Sequence, residues 1–167
     1  MRRRLIKVPF RRRLECKTDY KARSVLLRSK EPRLVIRKTN KYIIAQIIKS
    51  KEAQDITICY VNSKELINFG WNLSFKNIPA AYLTGMLIAK KARKKRIEKA
   101  IVDIGLYRST KKSKLYGVVK GAIDGGLVIN CKKEILPSED QIKGNYTKNS
   151  EKINEIFNVI KEKIIKE

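Results

Sequence analysis

Arg11-Arg12-Arg13, then Lys17, Tyr20, Arg23 and Arg28, interleave cations with an aromatic ring near the start of the chain. A guanidinium grips a phosphate through two N–H groups at once, and an exposed ring stacks on an unpaired base. Arg33 and Arg37 stand at alternate positions of one strand-like run and therefore share a face, with Asn40 in the following turn and Tyr42 across it. Arg108, Lys111, Lys112 and Lys114 make a second cationic loop, with no acid between Asp103 and Asp124. The chemistry these groups offer is the holding of a sugar–phosphate backbone, with no bond made or broken.

Reactive chemistry finds much thinner support. The chain has no histidine, so Ser-His and Cys-His nucleophile systems are excluded and a catalyst would rely on carboxylates, lysine or bound metal. A metal-dependent nuclease needs several carboxylates converging on divalent ions. Here the first strand-like run, Arg33 to Lys38, carries no acid, and Asp103 and Asp124 lie apart. The favoured reading of Asp103 is that it satisfies backbone groups or pairs with a local lysine or arginine. Gly117, Gly121, Gly125 and Gly126 fit neither phosphate-loop pattern, and the spacing of Gly117, Gly121 and Gly125 instead marks one close-packed helical face. Cys16, Cys59 and Cys131 form no CxxC pair. They read as reduced thiols of a cytoplasm-like compartment and as small apolar fillers rather than metal ligands. No cofactor and no small-molecule substrate is expected.

Charge carries the same message at larger scale. The formal net charge is +24 on 167 residues, and residues 1–49 hold 17 basic against 3 acidic side chains, whereas residues 132–167 are nearly balanced. A field of that sign draws polyanions, because each neutralised phosphate releases a condensed counterion. The partner should therefore meet the first third and the middle of the chain. At 43% hydrophobic residues the sequence supports a real core. No run of about 18 apolar residues is present, so no membrane span is expected. The seven cations among Met1 to Arg13 make a poor secretory signal.

The elements that must position these groups follow from pattern. Residues 1–19, interrupted by Pro9, read as a basic extended arm that orders on its partner. Residues 20–29 suit a short helix started by Asp19. Residues 33–38, 42–48 and 56–61, rich in β-branched and aromatic residues, suit three strands joined as hairpins through 39–41 and 51–55. Asn77 and Pro79 open a long helix over 79–100, apolar first and basic in its second half, which is a third candidate face. A buried strand at 100–104, a helix at 116–126 and a short strand at 127–130 follow. A final amphipathic helix from about Ser150 aligns Ile153, Ile156, Phe157, Ile160 and Ile164. The order β-β-β-α-β-α-β-α predicts an α/β fold with a mixed β-sheet and packed helices, like a ribonuclease-H-type core. The expected division is an arm at 1–19, an α/β RNA-binding domain at 20–146 and a C-terminal helix packed on it at 147–167.

Six segments in order, VPFRRRLECKTDYKARSVLL, KEPRLVIRKTNKYIIAQII, GWNLSFKNIPAAYLTGMLIAKKA, DIGLYRST, GAIDGGL and LPSEDQIKG, resemble the archaeal-type family of large-subunit ribosomal proteins called L eighteen. The likeness spans about residues 5–146. Leu14 replaces a common fourth arginine, Cys16 a usual glycine, and Gln141 a usual arginine. The resemblance implies a non-catalytic translational-machinery fold. Its implied partners are 5S rRNA, 23S rRNA and neighbouring proteins of the central protuberance, in the cytoplasmic large ribosomal subunit. It implies RNA contacts at Arg11, Arg12, Arg13, Lys17, Thr18, Tyr20, Arg23, Arg33, Arg37, Lys38, Asn40 and Tyr42. Two rivals stand beside it: a Mg-dependent nuclease of the ribonuclease-H type, and a nonspecific nucleic-acid-coating protein.

Overall fold

The computed structural model describes residues 8–52, 54–146 and 150–166. Arg33–Lys38 forms β1, Ile43–Lys51 forms β2 and Gln54–Asn62 forms β3. Both hairpins are present: Lys38 pairs with Ile43 across the first turn and Lys51 with Gln54 across the second. The first is closed by the Thr39 N–H donating to the Tyr42 carbonyl at 2.9 Å. A fourth strand, β4 (Ile101–Asp103), runs parallel to β1 and completes a mixed sheet of order β3-β2-β1-β4. Alternation then sorts side chains onto two faces. Leu34, Ile36, Ile43, Ala45, Ile47, Cys59 and Val61 face one continuous apolar core. Arg33, Val35 and Arg37 occupy the opposite face of β1.

Helices cover both faces of the sheet, one lying over the Arg33–Arg37 face and the later ones forming the layer on the core face. The first of these, Tyr20–Arg28, is α2, capped by the Asp19 carboxylate, which accepts from the Lys21 and Ala22 backbone N–H groups. Ile78–Lys94 is α3, capped by the Asn77 side chain at the Ala80 N–H, with Pro79 in its first turn. Residues Pro79 to Ala89 of α3 are all buried, as befits a helix enclosed on every side. Lys114–Asp124 is α4. The two pack backbone to backbone because Gly85 and Gly121 lack side chains. A Cβ at Gly85 would overlap the Val118 carbonyl, and one at Gly121 the Tyr82 carbonyl. Glu139–Lys143 (α5) and Ser150–Lys166 (α6) close the outside of this layer, α6 burying Ile153, Phe157, Ile160 and Ile164.

Four expectations differ from the structure. Residues 8–19 are not wholly extended, since Arg11–Leu14 forms a helical turn, α1; residues 1–7 of the expected arm lie outside the described residues. The long helix stops at Lys94 rather than near 100. Arg96 takes a left-handed φ of 58°, and the Ile97 N–H returns to the Ala92 carbonyl, so half-buried Ile97 folds back on the core. That closure ends a run of mutually repelling cations as a helix and directs the chain into β4. The run at 127–130 is not a strand; one parallel bridge joins Lys99 to Val128, with the Val128 N–H donating to the Glu98 carbonyl and the Ala100 N–H to the Val128 carbonyl. The element order is therefore α1-α2-β1-β2-β3-α3-β4-α4-α5-α6, not β-β-β-α-β-α-β-α. No helix among the described residues is long and apolar enough to cross a membrane.

Candidate nucleic-acid interface

Two cationic surfaces meet along β1. The first is built from α1, α2 and the sheet face below them. These enclose an open groove of about 980 Å³ whose lining includes Arg12, Lys17, Thr18, Tyr20, Lys21 and Arg37. The Arg12 Nε donates to Thr18 Oγ1 at 2.9 Å, which fixes the bend between α1 and α2. Phe10 lies 5.0 Å from Tyr20, ring centroid to centroid. That pair sets an aromatic surface among the arginines. Arg11 and Lys17 are shared with Glu15 at 3.8 and 2.9 Å, both on the exposed side. Arg13 and Arg28 are exposed and have no acidic partner among the described residues.

The second surface forms where the β1–β2 turn meets the loop before α4. The Tyr107 hydroxyl donates to the Lys38 carbonyl at 2.5 Å, and the Lys38 ammonium sits 5.4 Å above the Tyr107 ring. Tyr42 packs 5.8 Å from Phe75. Partial burial and the nearby Lys76 and Lys38 charges lower the pKa of Lys114. Crowded ammonium groups of this kind favour an anion between them. The structure thus brings Lys38, Lys76, Tyr107 and Lys114 together beside the β1–β2 turn that carries Asn40 and Tyr42, with Arg108, Lys111 and Lys112 on the adjoining loop. Arg108, Lys111, Lys112 and Asn40 are exposed there. Sequence reasoning missed Phe10, Phe75, Lys76 and Tyr107. Phe10 and Tyr107 each directly precede an arginine that was singled out, whereas Lys76 has no comparable local signal.

Arg33 lies on the floor of the first groove, with its guanidinium engaged by internal partners. Its side chain is 3% exposed. It donates to Asp103 Oδ2 at 2.8 Å, Asp55 Oδ1 at 2.7 Å and Ser50 Oγ at 3.1 Å. Its place on the sheet face under α2 makes it a structural counter-ion. Arg37 shares Asp103 at 3.1 Å but keeps a side-chain exposure of 39%, enough to face the groove. Arg23 is also engaged internally, with Asp55 Oδ2 at 2.9 Å.

The acids are accounted for in the same way. Asp103 accepts from Arg33, Arg37 and the Gly105 N–H, so its oxygens are occupied. Asp124 accepts from the Tyr82 hydroxyl at 2.9 Å and pairs with Lys120 at 3.1 Å, so each of the two acids is held by its own partners. Burial pushes the Asp55 carboxyl up, but hydrogen bonds from Arg23, Ser50 and Arg33 outweigh it and hold it at about 2. Among the described residues no group of three or more potential ligands could hold a metal ion. The basic end of α3 is likewise partly consumed. Lys90 donates to the Ile165 carbonyl, Lys91 to Glu65 and the Tyr60 carbonyl, and Lys95 to the Ile58 carbonyl. Arg93, Lys94, Arg96 and Lys99 remain exposed.

An α/β scaffold with its core acids neutralised from within and its excess cations exposed has the chemistry to hold polyanions. The chain belongs to the family described as ribosomal large subunit proteins 60S L5 and 50S L18, whose model matches residues 4–98 and 90–132. It is 51% identical over 140 residues to the large ribosomal subunit protein uL18 of Korarchaeum cryptofilum, covering 84% of this chain and 72% of that one. The uL18 of Caldivirga maquilingensis is 47% identical over 141 residues, covering 84% and 68%. The uL18 of Methanoregula boonei is 46% identical over 139 residues, covering 83% and 80%.

Proposed function

We propose that this chain is a structural protein of the large ribosomal subunit that binds 5S rRNA and helps attach it to 23S rRNA in the central protuberance, beside neighbouring large-subunit proteins. The observation that carries the reading is family membership over most of the chain, joined to a cationic surface that converges on β1. Its action is assembly rather than turnover, in the cytoplasm as part of the ribosome. Phosphate contacts from Arg11, Arg12, Arg13, Lys17, Arg28, Arg37, Lys38, Arg108, Lys111, Lys112 and Lys114 supply affinity. Tyr20, Tyr42, Asn40 and Thr18 are placed to meet bases or sugars, where RNA shape and unpaired nucleotides give selectivity. The arm at 1–19 serves the α/β domain at 20–146, with the helix at 147–167 packed on it. A sheet order of β3-β2-β1-β4 with β4 parallel to β1 supports a ribonuclease-H-like core.

Competition binding tests the proposal. 5S rRNA should displace tRNA and duplex DNA from the protein, and its affinity should fall with salt at a log–log slope on the order of −5 to −8. Equal affinity for all three nucleic acids would instead support the nonspecific coating protein.

A further inference from the structure

α2 carries cations of the first surface, yet none of its residues is buried. Half-buried Leu26 and Leu27 give it only limited apolar anchorage over the groove. Among the described residues, one charged hydrogen bond ties α2 to the sheet: Arg23 Nη1 to Asp55 Oδ2 at 2.9 Å. Asp55 is well placed for this. It stands near the start of β3, paired across the strand with Ser50 of β2. Its other oxygen accepts from Ser50 Oγ at 2.5 Å and from the buried Arg33 at 2.7 Å. Arg33 is itself locked by Asp103 on β4. A chain of ion pairs therefore runs from β4 through β1 and β3 to the helix.

We propose that Asp55 is a positioning residue for RNA binding: it latches α2 to the sheet through Arg23 and so fixes the α2 cations relative to Arg37 and the hairpin. This rests on the RNA-binding reading above. The latch makes Arg23 a strut rather than a phosphate contact. It also reverses the expected sign of a mutation. Removing an acid from a protein of net charge +24 strengthens its attraction to a polyanion if that acid acts only through charge. If Asp55 holds α2 in place, the same change weakens binding, because the helix must then be ordered at the moment of association.

The test uses the full chain carrying Asp55→Asn. Amide hydrogen exchange across residues 20–28 in the RNA-free protein is expected to accelerate, while exchange in α3 and α4 stays unchanged. Affinity for 5S rRNA is expected to fall by roughly three- to tenfold, with the salt dependence little changed because the bound contacts are the same. Unchanged exchange in α2 overturns the latch. Faster exchange with equal or tighter RNA binding overturns its positioning role. Should Asp55→Asn fail to fold, Arg23→Gln leaves the Arg33 contacts in place and must accelerate α2 exchange in the same way; unchanged exchange there also overturns the latch. The exchange readout contains no RNA, so it separates this inference from the 5S reading, which the wild-type competition experiment decides.

Discussion

Asp103 shows how a residue type can point towards catalysis while its surroundings give it another role. Its side chain is 8% exposed and is shared by Arg33 and Arg37. A carboxylate so engaged acts as the hinge of an ion-pair chain. Losing its charge leaves Arg33 buried beside fewer acceptors, and breaking a buried pair costs about 3–5 kcal/mol. Asp103→Asn is accordingly expected to lower the unfolding free energy obtained from urea titration by an amount in that range, and neither protein is expected to cleave RNA. A variant of wild-type stability would show that the pair contributes little; a wild-type nuclease activity lost in the variant would restore the nuclease rival. Cys59 and Cys16 make a similar contrast. Cys59 is a buried filler, whereas Cys16 is exposed at a left-handed φ of 50°.

Edge strands need protection, and β3 receives it from a helix. Its outer carbonyls at Tyr60 and Ile58 accept from the Lys91 and Lys95 ammonium groups at 3.1 and 2.5 Å. These two lysines look from sequence like part of a basic RNA-binding face. In the structure they occupy acceptors that another strand would otherwise use, and they place charge where it would approach. The Lys91→Ala/Lys95→Ala double variant should self-associate as its concentration rises, measured by sedimentation velocity, while the wild type stays monodisperse under the same conditions. Equal behaviour of the two would mean that β3 is protected by other means.

Across the whole molecule, binding and folding are separable. The apolar core runs from the sheet through α3 and α4 to α6, and no residue between Val8 and Arg13 enters it. Deleting residues 1–13 is therefore expected to leave the circular dichroism spectrum and cooperative melting intact, while weakening 5S rRNA binding and reducing its salt slope. Global unfolding of the truncated protein would show that the basic segment is structural. The same separation explains why net charge can be so high: repelling cations sit on the surface, and the few buried ones are matched by acids.

Local pattern determined much of this protein. The hairpins, the Asn77 and Asp19 caps, the glycine face of α4 and the stripe of α6 were all legible, because turn chemistry, capping and periodicity act over a few residues. The cationic clusters and the family resemblance were legible for the same reason: composition and ordered motifs lie in the chain itself. Only tertiary structure decided which cations face outward. Arg33, Arg23, Lys91 and Lys95 look no different in sequence from their exposed neighbours. Their partners lie 22 to 70 residues away for Arg33 and 32 for Arg23, so pairing depends on which strands and helices meet. The end of α3 was settled likewise, by where Ile97 could be buried.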